Sequence, residues 1–183
     1  RQDFGVFGEN LRIVGNLPYN ISTPLIFHLC NFAPKFRDMH FMLQKEVVER
    51  MSARVSTSAY GRLSIMTQYW FDVTPLFLVP PDAFKPAPKV ESQVVRLLPK
   101  SLQDQAKAES GVLSRVTATA FMQRRKTLKN ALQSLLRPED FEFLQIDAKK
   151  RPEDLSLDEY LAVARFTASR YNYGSQIDGW LAK

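Results

Sequence analysis

The chain predicts an α/β domain followed by a smaller all-α one. Three observations carry that expectation. Short apolar runs alternate with helical spacings over the first hundred residues, as at Leu11 to Gly15, Leu25 to Phe32 and Met39 to Gln44. Two more strand-like runs, Phe71 to Val79 and Val90 to Leu98, close that half and are joined by a link containing Pro80, Pro81, Pro86 and Pro88. Beyond Pro99 only helical spacings occur. The expected domains are therefore residues 1–99 and 100–183.

In chain order, residues 1–10 read as a loop with Gly5 and Gly8, and Leu11 to Gly15 as a buried strand. Thr23 is placed to cap a helix over 24–32, with Pro24 at its first position, where a missing N–H costs nothing. Cys30 lies in the apolar run Leu25, Ile26, Leu29 of that helix and reads as core. Met39 to Gln44 reads as a second strand and Glu46 to Met51 as a short helix. A polar loop follows over Arg54 to Ala59. From Tyr60 to Trp70, Leu63, Met66 and Tyr69 recur at helical spacing.

Residues 100–110 are polar and read as a linker. Val112, Leu113, Val116, Ala120 and Phe121 then make one helical face, and Leu128, Leu132, Leu135 and Leu136 another. A third helix starts at Ser156. Glu159 three residues on completes a capping box, and Leu157, Leu161, Ala164 and Ala168 supply its apolar stripe.

Composition narrows the function classes. At 183 residues, 45% hydrophobic and 24% charged, the chain has an ordinary globular make-up. No apolar run approaches the ~20 residues of a membrane-spanning helix, and no signal peptide is expected. The single cysteine excludes an internal disulfide and fits a reducing, cytoplasmic setting. His28 and His40 lack metal-ligand spacing, so no metal is expected. A formal charge of +6 favours a polyanionic partner.

The stretch with the most chemistry is Asn16-Leu17-Pro18-Tyr19, at the end of the first strand. Open α/β sheets bind ligands at the carboxyl ends of their strands. An exocyclic amino group on a base carries two hydrogens and needs two acceptors to hold it. The Asn16 side-chain oxygen supplies one and the Leu17 carbonyl the other, because Pro18 has no N–H and fixes the local backbone. The Tyr19 ring can stack on the same base, a contact worth about 1–3 kcal/mol elsewhere, and the four residues together can clamp a base taken out of its stack. The plain alternative is a strand end with a proline turn and a half-buried tyrosine.

Two further stretches bear on that choice. The proline-rich link presents one large apolar residue, Phe84, either as a second stacking surface opposite Tyr19 or as a plug folded under the loop. Lys85 and Lys89 beside it suit phosphate contacts. Between Ser110 and Pro138 there is no acidic residue, whereas Arg124, Arg125, Lys126 and Lys129 cluster at a predicted helix junction, with Thr127 placed to cap the second helix. Such a cluster is either a solvated basic face or a grip for a phosphate backbone.

Five motifs in order carry a resemblance to a known family. They are Asn16-Leu17-Pro18-Tyr19-Asn20-Ile21-Ser22, Met42-Leu43-Gln44-Lys45-Glu46-Val47, Tyr60-Gly61-Arg62-Leu63-Ser64, Phe84-Lys85-Pro86-Ala87-Pro88-Lys89-Val90-Glu91-Ser92 and Arg124-Arg125-Lys126-Thr127-Leu128. From about residue 11 onward the chain resembles the bacterial small-subunit ribosomal RNA adenine dimethyltransferases of the KsgA type. The resemblance implies the later half of a Rossmann-like S-adenosylmethionine-dependent methyltransferase domain, with a helical RNA-binding domain after it. It implies N6-dimethylation of two adjacent adenosines in a hairpin near the 3′ end of 16S rRNA, in late 30S assembly, by a monomeric enzyme.

Carried onto this sequence, the resemblance makes Asn16, Leu17, Pro18 and Tyr19 the catalytic tetrad, with Asn16 also bordering the cofactor. Tyr19 and Phe84 would sandwich the target base. Arg124, Arg125, Lys126 and Lys129 would hold RNA, joined by Lys85, Lys89 and Arg62.

Departures from the family pattern set further expectations. The glycine-rich cofactor loop and the acidic residue that holds the ribose are missing, and Asp3 stands too near Asn16 to be assigned to the cofactor. The chain also opens on Arg1 rather than Met, so it reads as an N-terminally incomplete piece that binds S-adenosylmethionine poorly by itself. Two alternatives stay open beside the small-subunit enzyme. One is an erythromycin-resistance-type enzyme acting on a 23S rRNA adenine. The other is a non-catalytic factor that binds the pre-30S particle through the basic face.

Overall fold

The computed structural model describes residues 4–18, 20–101 and 106–171. The chain divides into two compact units, Arg1–Ala53 with Met66–Ser101, and Arg54–Ile65 with Leu102–Lys183. The dividing line thus gives residues 54–65 to the second unit, whereas sequence reading places them in the first domain.

The first unit is built on a four-stranded sheet in the order β1-β2-β4-β3, with β1 at Leu11–Asn16, β2 at Phe36–Gln44, β3 at Phe71–Val79 and β4 at Ser92–Pro99. β1 and β2 run parallel with helix α1 (Ser22–Cys30) between them, and β4 runs antiparallel to both β2 and β3. Asn16 pairs with Met42, Gln44 with Ser92, and Val79 also with Ser92. The end of β1, the end of β2 and the link between β3 and β4 therefore share one edge of the sheet.

One sheet face is core. Met39, Phe41 and Leu43 alternate along β2 opposite Val95 and Leu97 of β4, all essentially inaccessible. Helix α2 (Lys45–Met51) packs on β2, β3 and β4 and buries Val47, Val48 and Met51. Ile26, Leu29 and Cys30 of α1 are buried too, and burial pushes the Cys30 thiol up to about 12, so it is core as expected and no nucleophile at neutral pH.

The other face is half open. Asn16 and Val14 on β1 are exposed, and His40 and Met42 on β2 are half-buried. From the sequence Leu11 to Gly15 reads as a buried strand. It is instead a sheet-edge strand that alternates half-buried and exposed residues, with Val14 72% exposed, because β2 is its one partner among the described residues.

β2 starts three residues earlier than its apolar run suggests, and the reason is Asp38. Its carboxylate is buried and takes a two-point contact from Arg12, Nε to Oδ1 at 2.7 Å and Nη2 to Oδ2 at 2.8 Å, with Arg37 Nε at 3.2 Å. These contacts offset the polar residue's cost in the strand and hold the start of β1 against β2. The two guanidinium groups hold the Asp38 carboxyl down at about 2. A carboxyl depressed in the folded state stabilises the fold above its ordinary value near 4 and loses that contribution as pH falls toward about 2. Stability measured by denaturant titration should therefore drop between pH 5 and pH 2.5, and by less in Asp38→Asn. Equal drops in the two proteins would show that Asp38 is not the group responsible.

Helix α1 begins at Ser22, two residues before the expected start. Ile21 occupies the cap position without a side-chain bond, so Thr23 is inside the first turn and does not cap. Pro24 remains within the turn whose N–H groups lack intrahelical partners, so it is tolerated there. In the 1–10 segment Phe4–Phe7 forms a 3-10 turn, and Gly8 at φ +99 takes a backbone conformation that favours glycine.

Helix α3 (Arg62–Trp70) spans the dividing line between Ile65 and Met66. The second unit contains α4 (Ala106–Met122), α5 (Leu128–Ala131), α6 (Pro138–Phe143) and α7 (Leu157–Tyr171). The expected linker over 100–110 is therefore helical from Ala106, while residues 102–105 lie outside the described residues. Val112, Leu113, Val116 and Ala120 of α4 are buried, and so are Val163 and Ala164 of α7, the helix it packs on. Phe121 stacks on Tyr160 with centroids 6.1 Å apart.

The predicted capping box of α7 is present. Ser156 N–H donates to Glu159 at 2.8 Å and Glu159 N–H donates to Ser156 Oγ at 3.2 Å. Thr127, by contrast, makes no side-chain cap. The first N–H groups of α5 go to main-chain acceptors instead, Leu128 to the Lys150 carbonyl at 2.8 Å and Lys129 to that of Ala148 at 3.1 Å. None of the described helices is long and apolar enough to cross a membrane.

Candidate functional site

Asn16, Leu17 and Pro18 form one wall of a cleft of about 290 Å³, and Phe84, Pro86 and Pro88 form the other. The cleft sits at the carboxyl ends of β1 and β2. Each wall is held by main-chain bonds. Leu17 N–H donates to the Met42 carbonyl at 3.2 Å, extending the β1–β2 ladder past the last strand residue, and the Pro18 carbonyl accepts from Ile21 N–H at 3.2 Å. Opposite, a 3-10 turn over Pro81–Ala83 leads into Phe84, whose N–H donates to the Pro81 carbonyl at 3.2 Å. The Lys85–Pro86 peptide is cis.

Phe84 is half-buried and faces the cleft. Asn16 and Pro18 are exposed, and Leu17 is half-buried. Tyr19 lies outside the described residues, so its place at the cleft stays a proposal. Gly15, just before the tetrad, has Leu17 and Phe41 at ordinary contact distance from the place of a Cβ. The site does not require a glycine there.

The basic residues fall into two groups. Lys85 and Lys89 stand exposed on the proline-rich link beside the cleft. The rest belong to the second unit. There Arg125, Lys126 and Lys129 are exposed at the turn between α4 and α5. Arg124 is half-buried and engaged: its Nη2 donates to the Ser58 carbonyl at 2.7 Å, and its Nε lies 3.6 Å from Glu153. Arg62 likewise donates to Ser114 Oγ at 3.0 Å.

The polar loop over Arg54 to Ala59 is held at the same place. Ser56 N–H donates to the Glu153 carbonyl and Ser56 Oγ to Asp154, both at 2.9 Å, while Thr57 Oγ1 closes the turn on the Arg54 carbonyl at 2.6 Å. Sequence reading found the loop's polarity and the arginine cluster. It missed that one serves the other. Ser56 fastens the segment to the 152–154 turn and the Ser58 carbonyl fastens it to Arg124, and no local signal in the sequence marks a contact across so long a span.

An α/β sheet with an open cleft at its carboxyl edge has the arrangement in which open α/β folds bind ligands, and its solved structural neighbours give it the Rossmann-like methyltransferase fold. The comparisons identify it further. The family model for ribosomal RNA adenine dimethylase matches residues 6–169, and the chain belongs to that family.

Its curated relatives include ribosomal RNA small subunit methyltransferase A of Thiobacillus denitrificans, 59% identical over 168 residues, covering 92% of this chain and 66% of the relative. The protein of the same description from Mannheimia succiniciproducens is 56% identical over 161 residues, covering 88% of this chain and 56% of the relative. The chain thus spans between about half and two thirds of the length of these relatives. Among solved structures, a dimethyladenosine transferase from Plasmodium falciparum matches with a TM-score of 0.73 at 29% identity, covering 83% of this chain and 64% of that one. The 23S rRNA methyltransferase ErmE matches with a TM-score of 0.60 at 21% identity, over 86% and 65%, and shares the fold.

Proposed function

We propose that this chain is the target-base half of an adenine-N6 dimethyltransferase acting on small-subunit rRNA, at two adjacent adenosines near the 3′ end of 16S rRNA, during 30S assembly. The observation that carries the reading is the single cleft that brings Asn16, Leu17, Pro18 and Phe84 together at the sheet edge. In it the Asn16 side-chain oxygen and the Leu17 carbonyl accept the two hydrogens of the adenine amine, and Phe84, with Tyr19, stacks on the ring. Holding both N–H groups draws the nitrogen lone pair out of conjugation with the ring and points it in one direction. The amine proton leaves to water after the new bond forms, so no strong base is required, and orientation is the main catalytic demand.

The family's reaction implies S-adenosylmethionine, and the described residues do not by themselves fit it. Asn16 offers one wall, and Gly8, at φ +99, has nothing within 4 Å of the place a Cβ would take and so forms no close cradle. The cleft is suited to the acceptor amine rather than to the donor. Comparing this chain with a full-length relative for transfer of labelled methyl groups to undermethylated 30S subunits, with calorimetric titration of each against S-adenosylmethionine, tests the reading. The expected result is transfer by the full-length protein, with weak cofactor binding and no transfer by this chain. Failure of the full-length protein to transfer, with 30S binding intact in both, would replace the reading with that of an assembly factor.

For RNA contact the exposed cations of the α4–α5 turn are the stronger candidates. Arg125→Ala should weaken RNA binding and lower the slope of log affinity against log salt by roughly 0.7–0.9, the share of one phosphate contact. Arg124→Ala should leave that slope nearly unchanged and lower the stability of the second unit, because its guanidinium is occupied by Ser58 and Glu153. Filter binding over a salt series separates the two, and equal slopes for both variants would remove the distinction.

A further inference from the structure

Lys45 and Glu91 belong to two of the motifs singled out in the sequence, and neither residue is given a part in holding the base. They nevertheless meet. Lys45 Nζ lies 2.7 Å from Glu91 Oε2, and Lys45 N–H donates to the Glu91 carbonyl at 3.0 Å. A side chain and a main chain thus tie the same two residues together twice, 46 positions apart in sequence.

Their place gives the tie its meaning. Lys45 is the first residue of α2, directly after the end of β2, and Glu91 is the last residue of the link that carries Phe84. Three residues before Lys45, the Met42 carbonyl holds Leu17. Both walls of the cleft therefore hang from the same short stretch, residues 42–45 at the end of β2. One is fixed by a main-chain bond and the other by the Lys45–Glu91 pair.

The link has few other means of holding its position. Pro80, Pro81, Pro86 and Pro88 have no N–H to donate, and its first part is closed only on itself by the turn at Pro81–Ala83. Between Phe84 and β4, the contact with Lys45 is the tie that reaches another element among the bonds described.

We propose that Lys45 and Glu91 are positioning residues for base capture: their pair sets the distance of Phe84 from Asn16 and so the width of the cleft. This rests on the reading of the cleft as an adenine clamp. Lys45 and Glu91 touch neither base nor donor in this assignment. The two side chains are 37% and 46% exposed, and exposed ion pairs add little to global stability. Their loss is therefore expected to move the loop without unfolding the sheet. The pair is exposed, and exposed ion pairs are weakened by salt, so the cleft should respond to salt even with no RNA present.

The test places 4-fluorophenylalanine at position 84 of this chain and follows its fluorine resonance with no RNA bound, in the parent sequence, in Lys45→Met, in Glu91→Gln and in the charge-reversed pair Lys45→Glu with Glu91→Lys. A second readout is the quenching of 8-vinyladenine, a fluorescent base that keeps the N6 amine, set at the target position of a hairpin RNA, with RNA affinity measured separately by anisotropy. Both single variants are expected to shift or broaden the resonance by about twofold in linewidth, as loosened loop motion does, and 1 M salt should move the parent the same way. Quenching should fall severalfold with affinity changed less than about twofold, and the reversed pair should regain part of both signals, since a surface pair depends on opposite charge.

A resonance identical in all four proteins would overturn the positioning role, as would a reversed pair no better than either single variant. Loss of melting temperature in step with the fluorine change would also overturn it, in favour of a merely structural contact. A fluorine change as expected, with no quenching even in the parent sequence, would leave the positioning role standing and remove the base-clamp reading instead.

Discussion

Replacing Asn16 with alanine in the full-length enzyme should lower methyl transfer by roughly 10²–10³-fold, the scale seen when one positioned polar group is removed from a catalytic site. RNA affinity should stay within about twofold, because phosphate contacts supply most of it. Asn16 is exposed at the end of β1 and pairs with Met42 there, so its side chain carries none of the core. The other proposed acceptor survives the change: Leu17 keeps its main-chain bond to Met42, and its carbonyl keeps its place. The amine would then be held by one hydrogen rather than two and would rotate about it. That loss belongs to orientation and should fall on kcat rather than KM. Steady-state rates at saturating cofactor, with RNA binding measured alongside, check it. Equal losses of rate and affinity would contradict the role assigned to Asn16.

The second large effect concerns the helical unit. Asp140→Ala should cost about 1–3 kcal/mol, the penalty for leaving partly buried donors without their acceptor. Domains of this size are stable by only about 5–15 kcal/mol, so the loss should be a large share of the total. Asp140 is 5% exposed, accepts the Arg137 N–H at 2.7 Å at the start of α6, and receives Arg170 Nη1 of α7 at 2.6 Å. One carboxylate thus caps one helix and fastens another. Its removal leaves the Arg137 N–H and the Arg170 guanidinium without their acceptor. Glu139→Ala, one residue away and exposed, should change stability by less than about 0.5 kcal/mol. Urea titration of the two variants distinguishes them by midpoint, and similar midpoints would show that the Asp140 pair contributes no more than a surface contact.

Much of the local structure was legible in the residues. The β3 run ends where its apolar pattern ends, at Val79, and the Ser156–Glu159 box forms as written. These features depend on neighbours within a few positions. Misses occurred where a distant partner decides. The β2 strand reaches back through Arg37 and Asp38 because Arg12 neutralises the carboxylate, and Arg12 is 26 residues away. The expected cap at Thr127 is displaced by carbonyls from Ala148 and Lys150, which no pattern around Thr127 announces. Helix α6 is too short for periodicity to reveal; what starts it is the Asp140 contact with Arg137.

The candidate site divides in the same way. By itself the sequence determined the chemical inventory: an asparagine and a carbonyl before a proline at a strand end, a phenylalanine among prolines, and a basic helix junction. Only the tertiary structure decided which of these meet. It brought Phe84 across from Asn16 through strand order, engaged Arg124 with Ser58 and Glu153 while leaving Arg125 exposed, and tied Glu91 to Lys45. The physical reason is the range of the interactions. Backbone propensity and capping act over one turn or one strand, whereas the walls of a cleft are set by hydrogen bonds and ion pairs between residues tens of positions apart.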